Sequence, residues 1–154
     1  MKRLIKLKVN GDIYEVAIEP SRTLLEVLRE NLQYTGTKKS CETGTCGACT
    51  VLINGVPVLS CLVLAFEAEG MDILTIEGIS EKGSLHPIQE SFIKHGAIQC
   101  GHCTPGMIML VKGLLDKNPM PNRDEIKKAL AGNFCRCTGY KKIFEAVEAV
   151  SEGK

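Results

Sequence analysis

The chain opens on a two-residue period. Leu4 to Val9 is apolar with lysines set between, Asn10-Gly11 follows, and Tyr14, Val16 and Ile18 then alternate with Glu15 and Ala17. Alternation on both sides of an Asn-Gly pair, whose residues accept φ > 0, predicts a β-hairpin with a type I′ turn. Pro20 and Ser21 end the second strand. Thr23 and Glu26 are spaced as a capping box, and Leu24, Leu25, Val27 and Leu28 form the apolar stripe of a short helix that should end near Asn31. Residues 36 to 49 have no period. Thr50 to Ile53, a second Asn-Gly pair (Asn54-Gly55) and Val56 to Ser60 predict another hairpin, and Asp72 to Ile76 one more strand ending at Gly78. The first half therefore reads as strands packed around one helix.

Near residue 80 the period changes. Ser80 to Ser84 is polar and reads as a linker. Beyond it Pro87 suits a first helical position, Ile88 and Phe92 lie four apart, and Gly96 suits a helix C-terminus. Thr104-Pro105 reads as N-cap then first turn, followed by Met107, Leu110, Val111 and Leu114 on one face, with Asn118-Pro119 as the stop. Asn122 caps a third helix carrying Ile126, Ala129 and Leu130, and a fourth runs from about Tyr140 with Ile143, Val147 and Val150 aligned. The expectation is an α+β chain, strands in residues 1–79 and an all-α unit of four short helices in 80–154.

Composition narrows the function. Nineteen basic and eighteen acidic residues leave a net charge of +1, without the basic footprint that nucleic-acid binding needs. An apolar run such as Leu62 to Phe66 is only five residues long, too short to span a membrane. Lysines interrupt the first eight residues and no apolar signal segment is visible, so a cytoplasmic location is expected. In that compartment thiols stay reduced, and the eight cysteines read as metal ligands before they read as disulfides.

Cys41, Cys46 and Cys49 are spaced C-x4-C-x2-C, and Cys61 lies twelve positions further on. This is the plant-type [2Fe–2S] spacing, with three ligands on one loop and a fourth at a distance. Such a loop must turn backbone N–H groups towards sulfur, and Gly44 and Gly47 supply the freedom. A zinc ribbon would pair two C-x2-C units about 15–20 residues apart; here the two are separated by about fifty, and Cys41 would be left over. Cys100 and Cys103 form a C-x-x-C at a helix start, and Cys135 and Cys137 a C-x-C before another helix. Alone, C-x-x-C could be a redox disulfide. Without a βαβ context, and with a second cysteine pair available, a second four-thiolate site is the better reading.

Three segments carry a family resemblance: Cys41-Glu42-Thr43-Gly44-Thr45-Cys46-Gly47-Ala48-Cys49, Gln99-Cys100-Gly101-His102-Cys103-Thr104-Pro105-Gly106, and Gly132-Asn133-Phe134-Cys135-Arg136-Cys137-Thr138-Gly139-Tyr140. In this order the chain resembles, over essentially its whole length, the small iron–sulfur subunit of the molybdenum hydroxylases, the xanthine dehydrogenase, aldehyde oxidoreductase and carbon monoxide dehydrogenase family. The resemblance implies a plant-ferredoxin-like β-grasp domain followed by a four-helix domain, each with one [2Fe–2S] cluster. It places Cys100, Cys103, Cys135 and Cys137 on the cluster proximal to the molybdenum cofactor, and Cys41, Cys46, Cys49 and Cys61 on the distal one facing a flavin. It further implies that Gln99 hydrogen-bonds the pterin, although by residue type alone Gln99 could equally serve a cap or loop. The chain departs from the family pattern at Ser40, where Gly is usual, at His102, where Phe or Tyr is usual, and at Phe134, where Leu is usual. With eight cysteines for eight ligand positions, His102 reads as a surface or supporting residue and not a ligand. His86 and His95 read as cap or surface residues, Met107 and Met109 as core, and Lys38-Lys39 as solvated surface.

The function expected is that of an electron-transfer subunit with no substrate-converting residues of its own. It would pass single electrons between a molybdopterin centre, in a dinucleotide form on a large subunit, and FAD on a medium subunit or another acceptor. The alternatives are a freestanding two-cluster carrier and a zinc module in which metal only holds the fold.

Overall fold

The computed structural model describes residues 1–80 and 83–153. Strands β1 (Arg3–Val9) and β2 (Asp12–Ile18) pair antiparallel from Arg3↔Ile18 to Val9↔Asp12. Asn10 (φ 54°) and Gly11 (φ 91°) both take the left-handed backbone expected of the turn. Ile5, Leu7 and Val9 are fully buried while Lys6 and Lys8 face solvent, as a period of two requires. Strands β3 (Thr50–Ile53) and β4 (Val56–Leu59) form the second hairpin, around Asn54 and Gly55. Strand β5 (Asp72–Leu74) lies between the hairpins, parallel to β1 and antiparallel to β3, giving the order β2-β1-β5-β3-β4.

Helix α1 (Leu24–Glu26) starts in the predicted capping box. Thr23 Oγ1 accepts from Glu26 N at 3.2 Å and Glu26 Oε2 accepts from Thr23 N at 2.9 Å. It does not continue as a regular helix to Asn31. Val27–Asn31 is a wider π turn, with Leu32 N bonded to Val27 O. The burial explains the widening. Leu24, Val27 and Leu28 pack into the sheet core, whereas Leu25 packs against Cys49 and Cys61 on the other side. This segment must serve two cores, more arc than one face of a 3.6-residue helix presents.

The second half holds α2 (Pro87–Lys94), α3 (Thr104–Lys117), α4 (Arg123–Leu130) and α5 (Lys141–Ser151). His86 caps α2 through Nδ1, which accepts from Ile88 N at 3.2 Å, and Gly96 follows its end at φ 63°. Asn122 Oδ1 caps α4 by accepting from Asp124 N and Glu125 N. Helix α3 begins one residue earlier than the Thr104-Pro105 pair predicts, because Cys103 takes the cap position without a side-chain bond. Ile88, Phe92, Met107, Val111, Ile126, Ile143 and Val147 form one apolar core beneath the four helices. Met109 is buried as well.

Helix α3 also lies on the sheet. A Cβ on Gly113 would come within 2.3 Å of Pro57 in β4, so only glycine allows that approach. Of the linker predicted at 80–84, residues 81 and 82 lie outside the described residues, and Ser80 is bonded to Gln89 Oε1 at 2.8 Å. Among the described residues no helix is long and apolar enough to cross a membrane.

Candidate metal centres

The loop after α1 is held from several sides before any cysteine is considered. Arg29 donates to the carbonyls of Thr35 and Thr37 at 2.8 and 2.7 Å, and Lys38 N bonds Ala48 O. Thr50 closes the loop with its hydroxyl on Gly47 O at 2.7 Å. Gly44 and Gly47 have φ of 77° and 74°, and Glu42 also adopts φ 57°. The glycine freedom is as expected; the left-handed Glu42 carries no signal in its residue type. At Gly44 a Cβ would sit 2.4 Å from Leu62 Cδ1.

The four cysteines of the first set border this loop. Cys46 N lies 3.4 Å from Cys41 Sγ. The N–H groups of Thr43 and Cys46 push the Cys41 thiol down to about 6, because hydrogen bonds to the charged form favour it. The fully buried Ser60 donates its hydroxyl to Cys49 O at 2.7 Å, which sets the neighbouring Cys61 beside Cys49. Burial, and then the Cys49 thiol that it faces, push Cys61 up to about 11.

The second set joins α3 to the segment before α5. Cys137 and Cys100 are 3.6 Å apart, sulfur to sulfur, and Cys137 is raised by that contact. Burial first and Cys135 second push Cys103 up to about 12. Burial also opposes ionisation of Cys135, but the Thr138 hydroxyl at 3.1 Å and the Thr138 and Cys137 N–H groups outweigh it and leave that thiol lowered. Tyr140, at φ 66° before α5, accepts from Cys135 N at 2.9 Å and donates to Asn133 O at 3.2 Å.

All eight cysteines are free thiols. Among the described residues no three or more His, Cys, Asp or Glu close on one point as a mononuclear metal requires. Six of the thiols meet in pairs instead. Cys61 faces Cys49, with Cys41 and Cys46 adjoining; Cys137 faces Cys100, and Cys103 faces Cys135. A diiron centre takes two thiolates on each iron, so a donor set divided into pairs fits it. A thiolate brought against another thiol is penalised by like charge, and a bound cation removes that penalty.

The two sets touch through the backbone. Phe134 N donates to Cys46 O at 2.9 Å, and Asn133 Nδ2 donates to Gly47 O at 3.1 Å. Asn133 is 1 % exposed, and among the described residues its Oδ1 has no partner. Leaving a buried acceptor unpaired costs about 1–3 kcal/mol, so an apolar residue would be favoured here unless the other half of the amide mattered. The sequence marks Asn133 only as part of a motif; its contact is 86 residues away in the chain.

Gln99 is exposed next to Cys100, and among the described residues its amide has no hydrogen-bond partner; His102 is exposed too. Phe134 is 54 % exposed. Lys38 bonds Thr35 O and Lys39 pairs with Glu42 at 2.8 Å, which matches a surface role.

Comparison with known proteins agrees with this geometry. A model of the 2Fe-2S iron-sulfur cluster binding domain matches residues 6–93, and one of the [2Fe-2S] binding domain matches residues 75–148. The nicotinate dehydrogenase small FeS subunit of Eubacterium barkeri is 48% identical over 151 residues, covering 98% of this chain and 96% of that one. The crystal structure of quinoline 2-oxidoreductase from Pseudomonas putida 86 contains a chain that superposes with a TM-score of 0.95 at 45% identity, covering 99% of this chain and 95% of that chain. The aldehyde oxidoreductase of Desulfovibrio desulfuricans superposes with a TM-score of 0.92 at 42% identity, and there 96% of this chain corresponds to 17% of a longer polypeptide.

Proposed function

This chain belongs to the family of small [2Fe–2S] subunits of the molybdenum hydroxylases, and from that premise we propose that it holds one [2Fe–2S] cluster on Cys41, Cys46, Cys49 and Cys61 and another on Cys100, Cys103, Cys135 and Cys137. It is the electron-transfer subunit of an oxidoreductase complex; the freestanding carrier is not favoured, because its relatives are subunits. Each cluster, when bound, takes up and returns one electron at a time. The observation that carries the ligand assignment is the meeting of thiols in pairs, Cys49 with Cys61, Cys100 with Cys137 and Cys103 with Cys135, with Cys41 Sγ held against Cys46 N.

The chain's own residues prepare those sites. The Thr43, Cys46 and Thr138 N–H groups and the Thr138 hydroxyl point at sulfur and hold negative charge there, which is the protein's means of setting a cluster's potential. Leu25 shields Cys49 and Cys61. In this reading residues 1–79 are a β-grasp domain of plant-ferredoxin type and 80–154 a helical cluster domain. Cys100 and Cys137 are the exposed pair of their set, which suits a set that meets a large molybdopterin-bearing subunit. Leu85, Ile93 and Ile98 are exposed beside it, an apolar surface fit for a protein partner. Gln99, exposed at that face, suits the edge of a pterin. The Cys41 loop would then face an FAD-bearing subunit, and the complex would work in the cytoplasm.

The test is iron and acid-labile sulfide analysis, with EPR of the dithionite-reduced protein. Four irons per chain and two distinct reduced [2Fe–2S] signals are expected. A zinc-loaded, diamagnetic protein, or anaerobically isolated protein with fewer than four irons, overturns the reading.

A further inference from the structure

The two cysteine sets are joined at one backbone seam. Phe134 N–H meets Cys46 O at 2.9 Å, and Phe134 is the residue directly before Cys135. One hydrogen bond therefore closes a path from Cys46 through its own carbonyl to the Phe134 amide and on to Cys135. Thr50 ties the neighbouring Gly47 O to its own half through its hydroxyl and its N–H, and two residues hold that segment against the second set. Asn133 grips the adjacent carbonyl, Gly47 O, with its buried amide, and a carbonyl can only accept, so the nitrogen must be the end that faces it. Gly47 is the second: a Cβ there would lie 2.5 Å from Gly132 O and 2.8 Å from Asn133 Cα. Gly106 at the start of α3 seals the third side, since a Cβ on it would lie 2.5 Å from Gly47 O. At Gly47 and Gly106 the two sides approach too closely for any side chain.

We propose that Asn133 is the positioning residue of the electron path between the two clusters, clamping the Cys46 O to Phe134 N hydrogen bond shut. This rests on the two-cluster reading above. A single electron given up at one four-cysteine site is taken up at the other; no covalent bond forms or breaks, and the Phe134 proton stays on its nitrogen. The unpartnered Oδ1 fits such a role: the amide is retained for its donor, at the expense of its acceptor. Tyr140 backs the same strand by bonding Asn133 O and Cys135 N, but it touches only one side of the seam.

The experiment compares full-length holoprotein with Asn133→Ala, Asn133→Asp and the control Met120→Leu, which alters an exposed side chain outside both cysteine sets. Iron is counted first, then the magnetic interaction between the two reduced clusters is read from the splitting and relaxation of their EPR signals. With four irons retained, the interaction should be at least halved in both Asn133 variants and unchanged in the control. Four irons with an unaltered interaction in the Asn133 variants overturns the clamp while leaving the cluster reading intact. A parent protein with fewer than four irons overturns both. If the variants lose iron, hydrogen exchange on the parent decides. Amides of the 133–135 segment that are protected like the helix core support the seam, and exchange as fast as in surface turns overturns it.

Discussion

Glu26 shows how one side chain's protonation bears on stability. Its carboxyl is held below the ordinary carboxylate value, first by the Thr23 N–H and further by the Thr23 hydroxyl and Arg22, against an opposing effect of burial. A group depressed in the folded state contributes stability above its unfolded pKa, and that contribution is lost as pH falls through the folded value. Glu26→Gln should therefore be most destabilising at neutral pH. Its difference from the parent should shrink below the ordinary carboxylate range, as denaturant titrations at the two pH values will show. Thr23→Ala removes the other half of the box and should lower stability by about 1 kcal/mol. At this scale the sequence was legible wherever the partner is local: the Thr23–Glu26 box, the Asn122 cap and the left-handed Asn-Gly turns all appear as expected. It was illegible at Glu42 and Tyr140, whose positive φ is imposed by surroundings that their residue types do not announce.

Among the elements, α2 and α5 carry the helical half. Phe92 is 1 % exposed, and Ser91 Oγ bonds Ala146 O at 2.7 Å across the pair. Phe92→Ala should cost about 3–5 kcal/mol, seen in thermal or denaturant unfolding. The loss should appear first as release of the iron held by the 100–137 set, because that set is carried on α3 and the turn before α5. Most of the helices and strands follow from periodicity, since each buries one face on a contiguous core; β3, buried along its whole length between the sheet core and α3, is marked instead by its Asn-Gly turn. The π turn after α1 does not, because Leu25 and its neighbours are shared between two cores, and a period computed along one segment cannot register a second packing surface. The start of α3 moved by one residue for a related reason: Cys103 is drawn into the cap position by its place beside Cys135.

For the whole molecule, the division of thiols into pairs makes a quantitative statement about metal. Cys137→Ser should leave the chain with half its iron and one of two EPR signals, because Cys41, Cys46, Cys49 and Cys61 form an independent set. Removing all iron with a chelator under reducing conditions should lower the melting temperature of the intact chain, since binding energy at a four-thiolate site is also folding energy. The family, the cysteine spacing, the hairpins and the helices were readable in the chain itself, because each rests on neighbours a few residues apart or on a repeating face. Which thiol faces which was decided by the folding of each half, and the grip of Asn133 on Gly47 across 86 residues only when the two halves closed on each other. Hydrogen bonds between distant carbonyls and amides depend on where the backbone passes in space, and no residue pattern along one strand of sequence encodes that meeting.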